Sequence, residues 1–202
     1  MKKISILIIA LITIGTSLDT LAQKRGFVSI AWKTGLTLND SKNYADEFSL
    51  EGGQFGFERF VAKNLSLGMD LSYSHFYEES GKISYETGNT TYTGSGFKYL
   101  DATPILVSGK YYLGLDKQDA KIVPYVGVST GAYYIKERLE IGSIAFEDDG
   151  WAFGFAPQVG FMVRLDKKAW FFTDFTYNTI FESGDIDKHT YLTGSFGIKI
   201  GF

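Results

Sequence analysis

The sequence predicts an all-β protein: an eight-stranded antiparallel transmembrane β-barrel with an up-and-down meander. Three observations carry this. Eight segments show period-two alternation of apolar and small or polar residues. Each is about 11 residues or longer, enough for a tilted strand to cross a bilayer. The connections between them alternate between short and long.

The first strand falls at 26–36, with Val28, Ile30, Trp32, Thr34 and Leu36 on one face. The second, at 50–61, puts Phe55 and Phe57 on the apolar face, and the third, at 65–77, alternates Leu65, Leu67, Met69, Leu71, Tyr73, His75 and Tyr77 with Ser66, Gly68, Asp70, Ser72 and Ser74. The fourth, at 96–113, uses Ile105, Val107 and Tyr111, with Pro104 marking a bulge or the upper end. The fifth, at 122–135, uses Val126, Val128, Ala132 and Tyr134. The sixth, at 151–165, runs through Trp151, Phe153, Phe155, Pro157, Val159, Phe161, Val163 and Leu165. The seventh, at 170–181, uses Phe171, Thr173, Phe175, Tyr177 and Phe181; the eighth, at 189–202, uses Leu192, Phe196, Ile198, Ile200 and Phe202. Residues 62–64, 114–121 and 166–169 form the short connections. Residues 37–49, 78–95 and 136–150 form long polar loops, and 182–188 is intermediate.

Residues 1–22 read as a signal peptide and 23–202 as the barrel. Met1-Lys2-Lys3 is basic, residues 4–14 are almost wholly apolar, and Thr20-Leu21-Ala22 offers small residues for cleavage between Ala22 and Gln23. The apolar run is too short to span a bilayer as a helix. Without Lys2, Lys3 and Asp19 the mature chain carries 18 basic and 22 acidic residues, a balance that points away from nucleic acid. The absence of cysteine excludes a disulfide scaffold, a thiol nucleophile and Cys-ligated metal. The aromatic content of 16% and the 23 glycines favour strands and tight packing.

The polar face decides which side points outward. It is mostly small: Ser29, Ala31 and Gly35; Gly127, Ser129 and Gly131; Ala152, Gly154, Ala156 and Gly160. A water-facing surface would carry many Lys and Glu instead. An eight-stranded barrel has an interior only wide enough for side chains, so small residues inside and bulky ones outside fit its geometry. Aromatics also gather at strand ends, as interfacial girdles do. Tyr73, Tyr77, Tyr99, Tyr133, Tyr134, Trp151, Tyr177 and Phe181 fall near the long-loop rim; Tyr111, Trp170, Phe171 and Phe202 fall near the short-turn rim.

The final segment, HTYLTGSFGIKIGF, alternates Phe196, Ile198, Ile200 and the terminal Phe202. With the leader and the eight amphipathic strands it resembles the outer membrane β-barrel domain family, the small OmpA-transmembrane and OmpX-like barrels, over 26–202. That resemblance implies a monomer in the outer membrane with both termini periplasmic, among outer-membrane lipid and lipopolysaccharide. It also implies that Phe196, Ile198, Ile200 and Phe202 form the signal read by the barrel-insertion machinery, but it implies little about activity, which is expected to lie in the surface loops and an unknown extracellular ligand.

The lumen is expected to hold Lys33, Glu58, Asp70, Lys110, Arg164, Asp174 and Lys199, four positive and three negative groups, with Tyr133 and Gln158 as further partners. Buried charges must be paired, so a near-neutral, filled, non-conducting lumen is expected. No catalytic, cofactor or metal residues are assigned. A lipid-modifying enzyme would need a rim His such as His75 beside a serine, and Ser72 and Ser74, its neighbours in sequence, point to the opposite face. The acidic stretches 147–149 and 182–187 lack an ordered calcium-ligand spacing. Surface binding or adhesion, or envelope integrity, is therefore the expected role. The competing readings are a narrow low-conductance porin, a lipid-modifying barrel enzyme and a soluble lipocalin-like carrier.

Overall fold

The computed structural model describes residues 25–38, 41, 45, 48–87, 90–115, 120–142, 144–184 and 186–202. The expected signal peptide and its cleavage point at Ala22 and Gln23 lie outside them. Eight strands follow one another in chain order: β1 (Gly26–Leu38), β2 (Gly52–Phe60), β3 (Leu65–Thr87), β4 (Thr90–Tyr112), β5 (Ile122–Ile141), β6 (Ile144–Arg164), β7 (Ala169–Ile180) and β8 (His189–Gly201). Each pairs antiparallel with the next. β8 returns to β1 in an unbroken ladder from Phe27↔Gly201 to Leu38↔Thr190, which closes the barrel. Closure leaves no edge in the barrel wall.

Alternation sets the two faces as the sequence requires. Ile30, Trp32, Phe55, Phe57, Leu67, Met69, Val107, Val128, Phe153, Phe161, Phe175 and Ile200 are all exposed on the outside. Such an apolar belt far exceeds the few hundred Å² that soluble monomers leave bare. The small residues Ser29, Ala31, Ser129, Ala152 and Ala156 are buried on the inside.

Two expected loops are strands. Residues 78–95 and 136–150 continue β3 into β4 and β5 into β6 as long hairpins. The second turns at Gly142, whose φ of 62° lies in the left-handed region that favours glycine. β2 leaves β3 at Gly52↔Ser74, and β7 leaves β6 at Gly154↔Ile180. Beyond those points β3 to β6 stand up as a four-stranded flap. Neither segment sustains the alternation of large apolar with small or polar residues that marks the other strands, which hid them in the sequence.

Pro104 marks no bulge: the β3–β4 register is the same on both sides of it, at Leu71↔Ile105 and Ser74↔Ala102. The register shifts instead between Ser80 and Lys82. Tyr133 and Trp170 do not join the girdles. Both are buried, one position out of phase with the outward Tyr134 and Phe171.

Candidate functional site

The lumen is stacked in three layers. At the short-turn end, Phe27, Phe60, Tyr112, Tyr125, Met162, Trp170 and Phe172 form an aromatic floor. Ring centroids lie 5.7 Å apart for Phe27–Phe60, 5.4 Å for Phe60–Tyr112 and 5.2 Å for Tyr112–Tyr125. At the loop end a second apolar layer gathers Phe76, Leu100, Leu106, Tyr133, Ile135, Ile180 and Tyr191, with Ala45 and Ile186 from the connecting loops laid over it. Polar groups fill the space between.

The strands place Lys33, Glu58, Asp70, Lys110, Asp174 and Lys199 in this middle layer. Lys199 on β8 reaches Glu58 on β2, with Nζ 2.8 Å from Oε1. Tyr112 donates to the same carboxylate at 2.7 Å, and Ser66 donates to Oε2 at 2.8 Å. Lys199 also sits among rings, 4.6 Å from the Tyr125 centroid and 5.0 Å from that of Phe172. Lys110 pairs with Asp70 at 3.2 Å. Lys33 donates to Ser72 at 3.0 Å and lies in the field of Asp174 and Asp70. Asp174 accepts from Tyr125 at 2.8 Å.

The buried set is thus Lys33, Lys110 and Lys199 against Glu58, Asp70 and Asp174. Arg164 sits apart from it, half-buried at the short-turn rim, with its guanidinium 4.7 Å from the Trp170 centroid. Tyr133 and Gln158 do face the lumen, but their hydrogen bonds go to Asn178 and Ser129 rather than to the charges. Sequence reasoning missed Tyr112 and Tyr125, the phenols that complete the carboxylate shells. The usable signal was parity: Tyr112 is in phase with Ser108 and Lys110, and Tyr125 with Ser129.

A cavity of about 20 Å³ lies among Lys33, Gln54, Asp70, Ser72, Gln158 and Asn178, room for about one water.

Two histidines occupy the loop-bearing end. His75 faces outward, with Nδ1 2.6 Å from Asp101 Oδ1, and Tyr73 donates to the same oxygen at 2.6 Å. Ser72 and Ser74 are buried inside the barrel, on the face His75 does not share. Ser49 lines the shallow groove beside His75, and its Oγ accepts the Glu51 N–H at 3.1 Å. His189 lies 3.0 Å from Ser41 Oγ through Nδ1 and 2.7 Å from Glu137 Oε1 through Nε2. This has the residue types of a hydrolytic triad, but Ser41 is 0% exposed and already accepts the Thr190 N–H at 2.8 Å. It works as a strut that pins the first connecting loop into the mouth. The acidic 147–149 segment lies on β6, where Glu147 pairs with Lys136 and Arg138 and Asp149 accepts from Tyr134.

At the other end, Phe196, Ile200 and Phe202 are exposed and Ile198 is half-buried on the outer face, with Phe202 stacked on Phe57 at 5.7 Å. No protein-family model and no curated protein matches the chain. Solved structures do. Neisserial surface protein A (NspA) aligns with a TM-score of 0.60 at 13% identity, covering 90% of this chain and 99% of that one. The chain has the fold of the small eight-stranded outer-membrane barrels. Ail, the attachment invasion locus protein of Yersinia pestis, solved in complex with the heparin analogue sucrose octasulfate, has a TM-score of 0.51 at 9% identity, covering 88% and 98%. The outer membrane protein OprG from Pseudomonas aeruginosa has a TM-score of 0.51 at 14% identity, covering 88% and 95%. At these identities the likeness is one of architecture, and the barrel's work must be read from its own residues.

Proposed function

We propose that this protein is an integral outer-membrane barrel closed to ions, a binding protein rather than an enzyme. Its termini lie in the periplasm, and its flap and loops act at the cell surface, in adhesion or in tying the envelope together. The filled middle layer carries this reading. A conducting pore needs a continuous water column, whereas here charged side chains and phenols lie between two apolar layers and enclose a cavity of about 20 Å³, which supports closure.

The charges outside the lumen are strongly segregated. The loop-side segments 37–51, 78–101, 136–149 and 182–188 hold 6 basic and 16 acidic residues. A polyanion such as the ligand in the Ail complex would be repelled from that surface. The partner this rim favours is cationic, or is bridged to it by divalent cations.

Planar-bilayer recording of the purified protein tests closure. Wild type is expected to give no long-lived openings, and a steady ohmic current would move the function to a narrow porin. Location and assembly are tested together by fractionation. Wild type is expected in carbonate-resistant outer membranes, and Phe202→Asp, which breaks the stack on Phe57, should lower the heat-modifiable folded fraction several-fold. Ser195→Ala should not. Wild type recovered from the soluble periplasm would favour the carrier.

A further inference from the structure

The short-turn mouth reverses the charge of the loop-bearing rim. Segments 23–25, 59–64, 113–121 and 164–168 hold 9 basic and 3 acidic residues. Some of that charge is gathered round a cavity of about 250 Å³, lined by Arg25, Arg164, Lys167 and Lys168 with aromatic walls from Phe60 and Trp170. No Asp or Glu is among the described residues that line it. Phe202 also lines it, and its backbone oxygen accepts the Gly26 N–H at 3.2 Å.

Two of the four cations are held in place before any ligand arrives. The Arg25 guanidinium lies 4.7 Å over the Phe60 ring, and that of Arg164 lies 4.7 Å over Trp170. Ring stacking fixes the plane of a guanidinium, and Arg25 is further anchored by its donation to the Lys63 carbonyl at 2.5 Å. The buried Nε–H of Arg25 has no acceptor among the described residues. A buried donor of that kind calls for an acceptor. Lys167 and Lys168 are exposed on the turn between β6 and β7 and free to close over such a group.

We propose that this mouth binds a phosphate group, supplied by the headgroup of an anionic phospholipid in the leaflet at the short-turn end. Planar guanidinium forks match phosphate oxygens, and the two lysines add point charge. The lipid source follows from the outer wall. Phe202 is exposed on the apolar face and stacked on Phe57, so acyl chains can lie against the barrel while their headgroup turns into the cavity. The assignment of that leaflet to the periplasmic side rests on the orientation proposed above; the phosphate site itself does not.

Native mass spectrometry of the full barrel in detergent micelles tests it, with phosphatidylglycerol and phosphatidylcholine as probes. Wild type is expected to retain phosphatidylglycerol at least fivefold over phosphatidylcholine. Lys167→Gln/Lys168→Gln and Arg25→Gln should each abolish most of that preference, and Lys136→Gln at the opposite rim should leave it intact. Heat-modifiable mobility checks that every variant is folded. Equal retention of the two lipids by wild type, or an undiminished preference in both turn-side variants, overturns the site. Millimolar sn-glycerol 3-phosphate or inorganic phosphate should fail to displace the lipid. Displacement would keep the phosphate site and overturn its lipid source in favour of a soluble anion. Labelling of Lys168→Cys by an impermeant maleimide on intact cells would overturn the orientation alone.

Discussion

Glu58→Leu is expected to cost the barrel about 3–5 kcal/mol, the range for removing one member of a buried ion pair. Glu58 is 3% exposed, and its carboxylate answers Lys199, Tyr112 and Ser66 together. Without it, Lys199, 1% exposed, is left inside a ring of aromatics with no carboxylate in contact, and must either hold an unpaired buried charge or give up its proton. The penalty comes from stranding a charge rather than from losing an attraction. Glu58→Leu/Lys199→Met should therefore recover most of the loss, since replacing a whole buried pair by apolar side chains of similar volume is often neutral. Urea unfolding in detergent, followed by tryptophan fluorescence, reads both variants. Asp148→Ala, on the exposed part of β6, should stay within about 0.5 kcal/mol of wild type, as surface substitutions usually do. A double variant as unstable as Glu58→Leu alone would show that the site's stability lies elsewhere.

How legible this was in the sequence differs from layer to layer, for physical reasons. Within the belt, one face meets an apolar surround and the other a crowded interior. Residue size and polarity therefore alternate sharply, and β1, β7 and β8 read almost to their ends. Once a strand leaves the belt that contrast vanishes, which is why 78–95 and 136–150 read as loops although Lys82-Ile83-Ser84-Tyr85 and Arg138-Leu139-Glu140-Ile141 carry good strand formers. The lumen charges were visible by parity, because a Lys or Asp among small residues on the inward face has nowhere else to go. Tyr112 and Tyr125 were not, because an aromatic in an amphipathic strand reads as outward until its phase is counted. The contact of Ser41 with His189 joins residues 148 apart and depends on how a connecting loop folds back; no local pattern encodes it.

A side chain at Gly197 should prevent the barrel from closing. Gly197 lies on β8 opposite Ala31 of β1, in the ladder that joins the last strand to the first. A Cβ there would stand 2.1 Å from the Ile30 carbonyl oxygen and 2.6 Å from Ala31 Cα. Both are backbone atoms of the partner strand, so no rotamer change relieves the clash; β1 and β8 would have to separate. Every other ladder joins strands adjacent in the chain, where a hairpin holds the partners close and tolerates local spreading. The β1–β8 seam, with its twelve paired positions, has no such tether. Gly197→Val is therefore expected to abolish the heat-modifiable folded band, with the chain lost to periplasmic proteases in cells and failing to refold from urea into micelles. Gly109→Ala is the matched control: a Cβ on that strand glycine comes no closer than 3.7 Å, to the flexible end of Leu67, so it should fold like wild type. Normal assembly of Gly197→Val would mean that the seam can open by about an ångström without loss of its hydrogen bonds, and that closure at β1–β8 is not the demanding step.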